Sequence, residues 1–192
     1  AYSAAQKCLS APPGASPLTI SDRGMAKVLD RDEDVRSWYL DLSLLEGYWG
    51  DERAYHHTAP ITNTYALREA LRVAVEEGIE ARWDRHARVS ERLVEGLADL
   101  GLSMNPPEGL ALPSLNAVRV PDGVDDGAVI DHLREAYDVE IAAGLGGLSG
   151  EIWRIGTMGY SAREKNVAYL LDAMADALAA EGYEQTTATT PA

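Results

Sequence analysis

The chain has 192 residues, 46% of them hydrophobic, which suits one good-sized domain or a small domain with part of another. A net charge of -14, from 31 acidic and 17 basic residues, excludes a basic surface for nucleic acid or an anionic membrane. No apolar run approaches the roughly 18 residues of a membrane-spanning helix, and no charged segment followed by an apolar one opens the sequence, so we expect no secretory signal. The acidity fits either an ordinary acidic surface or adaptation to high salt, which the scarcity of lysine favours.

The first 60 residues are predicted to be mainly loops and short helices. Proline and glycine forbid regular structure over most of 1–20, where only a strand end is expected. Helices are predicted at 22–30, capped by Ser21, and at 37–48. A loop follows over 50–60.

Two long helices are predicted at 62–76 and 79–100, separated by Gly78. The second carries apolar residues at helical spacing, which we expect to form its buried face: Ile79, Trp83, Leu93, Leu97 and Leu100.

Beyond two prolines near position 106 the pattern changes to alternating strands and helices. Strands are predicted at 116–120, 139–142 and 152–156, with helices at 125–136 and 163–181. Ser161 and Glu164 have capping-box spacing before the final helix, whose apolar face comprises five residues: Val167, Leu170, Leu171, Met174 and Leu178. The tail, 184–192, is rich in Thr and Ala and is predicted to be disordered.

This order predicts a small α/β (α+β) domain over 81–183, with helices packed on a mostly antiparallel sheet. Residues 1–80 contain too few strands for a sheet of their own. We therefore interpret them as the end of a larger domain whose body precedes Ala1. A single cysteine, Cys8, excludes an internal disulfide and fits a reducing compartment, so we expect a cytoplasmic protein.

Lys7 is the first candidate for chemistry, because it is one of three lysines in an arginine-rich chain. An amine can lose its proton and attack a carbonyl carbon, which a guanidinium cannot do. The small residues of 10–14 would let a flat cofactor approach the backbone. The alternative is a surface lysine before a proline turn.

The segment SAAQKCLSAPPG around Lys7 resembles the cofactor-lysine motif of class V, fold-type I aminotransferases. The similarity is to the alanine–glyoxylate / serine–pyruvate aminotransferase family, and it runs from Tyr2 to Tyr183. It includes four further blocks in order: YWGDERAYHHTAPI at 48–61, LREAL at 67–71, VEIAAGLGGLSG at 139–150 and WRIGTMG at 153–159. The resemblance implies the C-terminal portion of a fold-type I pyridoxal-phosphate transferase, with 1–80 ending the large cofactor domain.

The resemblance implies that Lys7 holds pyridoxal 5'-phosphate and later moves a proton between the substrate α-carbon and the cofactor. Gln6 would lie beside the cofactor phosphate. The residue before it is often Ser or Thr in the family, whereas Ala5 here lacks the hydroxyl.

Tyr55 and Thr58, in YHHT, match residues that in the family reach across a homodimer interface to the partner's cofactor phosphate. Without the resemblance, this segment is equally a polar loop before Pro60. His56 and His57 suggest a metal, but neighbouring side chains in an extended segment point opposite ways, so we expect no metal site.

Arg154 lies within an apolar predicted strand, where a buried guanidinium needs a partner. Its fork suits the α-carboxylate of an amino acid, the role that the resemblance implies, and the alternative is a salt bridge at a strand edge. The glycine-rich segment 144–150 lies between two strands, so no helix N-terminus follows it and we expect no nucleotide site.

The function expected is transamination from alanine or serine to glyoxylate or pyruvate by a ping-pong mechanism, with amino acids and 2-oxo acids as substrates. The alternatives are a non-catalytic dimerisation and carboxylate-binding module, or another class V enzyme such as phosphoserine aminotransferase. A cysteine desulfurase is disfavoured because Gln6 replaces the usual histidine and Cys8 cannot move independently of Lys7.

Only six residues precede Lys7, and the first is not methionine. In fold-type I enzymes the groups that bind the pyridine ring and nitrogen lie upstream of this lysine. We therefore expect a fragment that alone neither binds the cofactor stably nor transaminates.

Overall fold

The computed structural model describes residues 1–107 and 109–184. The chain divides into two compact units. The first unit comprises Ala1–Gln6 and Ala11–Ala70, and the second comprises Lys7–Ser10 and the chain from Leu71 onwards. The tail predicted to be disordered lies, apart from its first residue, outside the described residues.

Helices and loops make up the first unit. Its helices are α1 (Asp22–Leu29), α2 (Leu42–Trp49) and the start of α3 (Ile61–Glu77). Ser21 caps α1 as predicted, since its hydroxyl accepts the N–H of Gly24.

The single helix predicted at 37–48 is wrong in its first part. Trp38–Leu40 form a short 3₁₀ turn, and the chain is extended at Asp41 before α2 begins. The Asp41 carboxylate accepts the N–H of Ser43 at 3.0 Å, so a local side-chain cap starts a new helix at this point.

The first unit contains very little core of its own. Only Ala5, Ala11 and His56 are buried among its described residues. Large apolar side chains are exposed instead, including Trp38, Tyr39, Leu40, Trp49 and Tyr65. An apolar surface of this extent is typical of a face that packs against other protein.

The second unit contains the sheet and most of the helices. Its elements beyond α3 are α4 (Ile79–Asp99), β1 (Leu115–Arg119), α5 (Asp126–Tyr137), β2 (Ala142–Ala143), β3 (Ile152–Gly156) and α6 (Glu164–Ala180). The strands form an antiparallel sheet in the order β1-β3-β2. The predicted class, helices packed on a small antiparallel sheet, is confirmed. In the described part of the chain, no helix combines the length and apolar character needed to cross a membrane.

One hydrophobic core joins α4, α5 and α6 to one face of the sheet. Its fully buried members include Leu93, Val118, Leu133, Trp153 and Met174. The face predicted for α6 is correct, with four of its five residues buried and Leu171 partly buried.

The face predicted for α4 is correct only in its second half. Leu93 and Leu97 are buried, whereas Ile79 and Trp83 are 48% and 63% exposed. The buried stripe begins instead with two polar side chains, Arg82 and His86, and continues through Val89, Leu93 and Leu97. An apolar pattern cannot find polar residues that are buried because their hydrogen bonds are satisfied.

Two further local predictions are wrong. The strand predicted at 139–142 is only Ala142–Ala143, because the N–H of Val139 still bonds to the Leu133 carbonyl at the end of α5. The capping box at Ser161 does not form. Its hydroxyl donates to the Met158 carbonyl, and Arg163 precedes α6 without a side-chain cap.

Candidate active site

Lys7 opens a tight turn in the second unit. The N–H of Ser10 bonds to the Lys7 carbonyl at 2.9 Å, and Ser10 has a left-handed φ of 60°. The Lys7 side chain is exposed, and its amine has no hydrogen bond or ion pair with any described residue. The amine is therefore available to a ligand. Gln6, which precedes it, is also exposed.

Tyr55 and Thr58 are brought together by the loop that precedes α3. Their hydroxyl oxygens lie 3.0 Å apart, and Tyr55 is 76% exposed. Two neighbouring hydroxyls on an exposed loop can both donate to one anionic group such as a phosphate.

The rings of His56 and His57 meet, which corrects the prediction that they point opposite ways. Their Nδ1 atoms are 2.7 Å apart. His56 also stacks on Trp38, with ring centroids 4.0 Å apart, and its Nε2 lies 3.0 Å from the Trp38 carbonyl oxygen. Because a carbonyl only accepts, Nε2 of a neutral His56 carries the proton and its Nδ1 accepts from His57. The pair is thus a hydrogen-bonded part of the loop, and no group of three ligands suited to a metal occurs among the described residues.

Arg154 lies on β3, the central strand of the sheet. The alternative role, a salt bridge at a strand edge, does not fit this position. Trp153 and Ile155 on either side are buried in the core, so alternation places Arg154 on the opposite face. Its Nε donates to the Ala143 carbonyl at 2.8 Å. Both Nη groups lack a partner among the described residues, and no carboxylate pairs with the guanidinium there.

The neighbours of Arg154 leave room for a ligand. Ala117 on β1 and Ala142 on β2 are its cross-strand partners, so a small side chain flanks the guanidinium on each side. An arginine whose Nε is fixed and whose two Nη groups are free presents the fork that a carboxylate binds. The glycine-rich segment lies between β2 and β3 as predicted, and within it Gly146–Leu148 form a 3₁₀ turn.

A partly buried polar cluster at the junction of α3 and α4 was not predicted. Glu77 ends α3 and forms ion pairs with Arg82 and Arg85 of α4, at 2.6 Å for Arg82 Nη1. The hydrogen bond from Arg85, with that from Arg82, lowers the pKa of Glu77 from 4.5 to about 2. A signal for this cluster was present, because Arg82, Arg85 and His86 share one helical face with Val89.

Comparison with known proteins shows which proteins this chain resembles. No family model matches the chain. It is 40% identical over 184 residues to "(S)-ureidoglycine--glyoxylate transaminase" of Bacillus subtilis, covering 86% of this chain and 44% of the relative. It is 39% identical over 181 residues to "Alanine--glyoxylate aminotransferase" of Callithrix jacchus, covering 92% of this chain and 44% of the relative.

A solved alanine–glyoxylate aminotransferase from Nostoc sp. superimposes with a TM-score of 0.90 at 47% identity, covering 92% of this chain and 47% of that one. The chain is homologous to class V pyridoxal phosphate-dependent aminotransferases. It matches their C-terminal half and spans less than half the length of these relatives. The resemblance that the motifs suggested is confirmed.

The candidate residues fit pyridoxal phosphate by their chemistry. Lys7 offers a primary amine for its aldehyde, and Tyr55 with Thr58 offers paired hydroxyls for its phosphate. Arg154 offers a free fork for the carboxylate of the amino acid that reacts with it.

The ion-pair cluster predicts a dependence of stability on pH. Because the folded pKa of Glu77 lies below its unfolded value, its stabilisation is complete above about pH 5 and is lost as the pH falls towards 2. The shift corresponds to a free energy on the order of 3 kcal/mol. We expect Glu77→Gln to remove this part of the acid sensitivity, measured as the free energy of urea unfolding at a series of pH values.

The matched control is Glu76→Gln, whose side chain is 64% exposed in an ion pair with Arg72. It should keep the wild-type pH profile, since an exposed pair contributes little. Identical profiles for Glu77→Gln and the wild type would contradict the role given to the cluster.

Proposed function

We propose that this chain supplies the cofactor lysine and the substrate-carboxylate arginine of a transaminase that uses glyoxylate or pyruvate as amino acceptor. Both curated relatives described above carry glyoxylate in their names, which supports that acceptor. The donors named differ between them, so we propose alanine or serine as donor and include ureidoglycine in the tests. The observation that carries the proposal is Arg154, whose free fork lies between two alanines on the central strand.

Each candidate residue has a defined task in this proposal. Pyridoxal phosphate, when bound, supplies the electron sink that lets a proton leave the substrate α-carbon. The Lys7 amine binds the cofactor and then carries that proton, which a free, exposed amine can do. Gln6 donates an amide N–H near the phosphate. Arg154 holds the amino-acid carboxylate through two parallel hydrogen bonds and so orients the α-carbon.

The paired hydroxyls of Tyr55 and Thr58 are proposed to act on the cofactor phosphate of a second subunit in a homodimer. The exposed apolar side chains of the first unit offer surface that a second subunit can cover. A cytoplasmic location remains part of the proposal, because the single cysteine favours a reducing compartment.

Arg154→Ala tests the carboxylate role. We expect the KM for the amino donor to rise, because donor binding loses about 2–4 kcal/mol of charged hydrogen bonding. The effect on kcat should be smaller. Arg154→Lys keeps the charge and loses the fork, so its donor KM should lie between those of the wild type and Arg154→Ala. The measurement is steady-state kinetics with alanine, serine, aspartate and ureidoglycine on the holoenzyme that contains this chain.

Arg119→Ala is the matched control, because Arg119 is an exposed arginine on the neighbouring strand β1. It should leave both constants near the wild type. An unchanged donor KM in Arg154→Ala would overturn the carboxylate role. No turnover with any donor in the wild-type holoenzyme would favour a non-catalytic module.

The shared site predicts complementation between subunits. In a heterodimer of a Lys7→Ala subunit and a Tyr55→Phe, Thr58→Ala subunit, one site holds all the changes and the other none. Purified by two different affinity tags, it should recover about half of the wild-type activity.

A heterodimer of Lys7→Ala and Arg154→Ala subunits is the control, because both residues belong to the second unit of the same chain. Assayed at a donor concentration near the wild-type KM, it should show only the low activity of Arg154→Ala, since one of its sites lacks Lys7 and the other lacks Arg154. Failure of the first heterodimer to exceed this control would refute a site shared across the interface.

A further inference from the structure

Partly buried charges at the junction of α3 and α4 contact the Lys7 turn. Arg82 has an 8% exposed side chain and donates one Nη to Glu77 and the other to the carbonyl of Cys8, the residue after Lys7. Arg85 donates two hydrogen bonds to the Glu77 carboxylate, from Nε and from Nη2. Each guanidinium thus has Glu77 on one side and a backbone carbonyl on the other.

Arg85 extends the same cluster to the segment after β3. Its Nη1 donates to the carbonyls of Gly159 at 2.9 Å and Ala162 at 2.6 Å. The N–H of Gly159 donates to His86 Nε2 at 2.9 Å. His86 Nδ1 lies 2.7 Å from the Arg82 carbonyl, so Nδ1 carries the proton and His86 is held as the neutral tautomer that can accept from Gly159.

Gly159 in turn packs directly against the lysine turn. It has a left-handed φ of 56°, and a Cβ there would overlap the Ser10 hydroxyl and lie 2.6 Å from the Cys8 carbonyl oxygen. The next N–H, that of Tyr160, donates to the Ser10 hydroxyl at 2.8 Å. The turn from Lys7 to Ser10 is therefore held at its second residue by Arg82 and at its last residue by the Gly159 segment.

We propose that Glu77, Arg82, Arg85, His86 and Gly159 form a clamp whose members are positioning residues for Lys7. None of them bonds to the Lys7 amine; they act through the backbone that carries it. Lys7 is long, flexible and exposed, so the location of its backbone decides where the amine can reach. Displacement of a reacting group by about 1 Å can cost on the order of 100-fold in rate.

Stability alone does not account for this arrangement. The ion pairs of Glu77 with Arg82 and Arg85 stabilise the fold by themselves, and that stabilisation does not require either guanidinium to contact the lysine turn. Here each guanidinium also satisfies a carbonyl in or beside the lysine turn, and Gly159 permits a contact that any side chain would block. The effect of the clamp on catalysis rests on the proposed function, but its effect on the conformation of the turn can be measured separately.

Cys8 provides that measurement, since it is the one cysteine of the chain and lies inside the turn. The experiment follows the rate of Cys8 alkylation by iodoacetamide, mapped by mass spectrometry, in the full protein stripped of cofactor. Arg82→Ala should raise this rate about tenfold, because opening the turn no longer breaks a charged hydrogen bond. Arg82→Lys, which can still donate to one carbonyl, should raise it less.

Arg92→Ala is the matched control on the same helix, where Arg92 pairs with Glu95 at 3.9 Å on the surface. It should leave the rate unchanged. Gly159→Ala is a second, independent variant and should also raise the rate, because its methyl group displaces Ser10 and Cys8. Circular dichroism and the thermal midpoint identify any variant that does not fold, and such a variant is replaced by the other.

The same variants, loaded with pyridoxal phosphate, test the consequence for Lys7. Arg82→Ala should lower kcat about 10- to 100-fold while the donor KM stays within about twofold, with partial rescue by Arg82→Lys. The clamp would be overturned if Cys8 is alkylated no faster in Arg82→Ala and Gly159→Ala than in the control Arg92→Ala. An inactive wild-type holoenzyme would instead overturn the proposed function, and the Cys8 rates would still decide whether the clamp holds the turn.

Discussion

The alternation of side chains along β3 is the constraint on which the second unit depends. Trp153 and Ile155 fill the core on one face, and Arg154 projects from the other. Trp153 also donates its indole N–H to the Asp126 carbonyl at 3.2 Å, which ties the strand to the start of α5. A slip of one residue would bury the guanidinium and expose the indole, so the same register secures both the core and the candidate carboxylate site.

A second polar link fixes this sheet to α4. Ser90 donates to Asn116 at 2.9 Å, Asn116 donates to Thr157 at 3.1 Å, and Thr157 donates to the Pro113 carbonyl at 2.7 Å. All three side chains are buried, and a satisfied buried network fixes one arrangement of helix and strands. The helix that carries Arg82 and Arg85 is thereby anchored to β1 and to the residue that follows β3, the strand that carries Arg154.

Charge is distributed in a way that suits anionic ligands at few places. The chain has a net charge of -14, and anionic substrates are repelled by most of such a surface. Lys7 and Arg154 are cations without a carboxylate partner among the described residues, whereas Arg82 and Arg85 are neutralised in part by Glu77. Lys7 and Arg154 can therefore meet an anionic ligand, whereas Arg82 and Arg85 are already engaged with Glu77.

Sequence patterns predicted the elements that follow a simple period. The strand at 152–156 and the break at Gly78 are correct to the residue, because a short apolar run and a glycine, which here adopts a φ of 84°, are local signals. The face of α4 was half wrong because its N-terminal turns bury Arg82 and His86, whose partners come from distant segments. The contact of His56 with His57 depends likewise on Trp38, 18 residues earlier. Long-range hydrogen bonds of this kind are not visible in the spacing of the apolar residues alone.

The central claim is that Lys7 is the residue that binds pyridoxal phosphate, and the three lysines of the chain provide its most direct test. The holoenzyme that contains this chain is treated with borohydride, digested, and mapped for the mass of the bound cofactor. We expect a stoichiometric adduct on the peptide carrying Lys7, none on those carrying Lys27 or Lys165, and no adduct in Lys7→Ala. An adduct on Lys27 or Lys165, or an unmodified Lys7 in protein that shows bound cofactor, would contradict it.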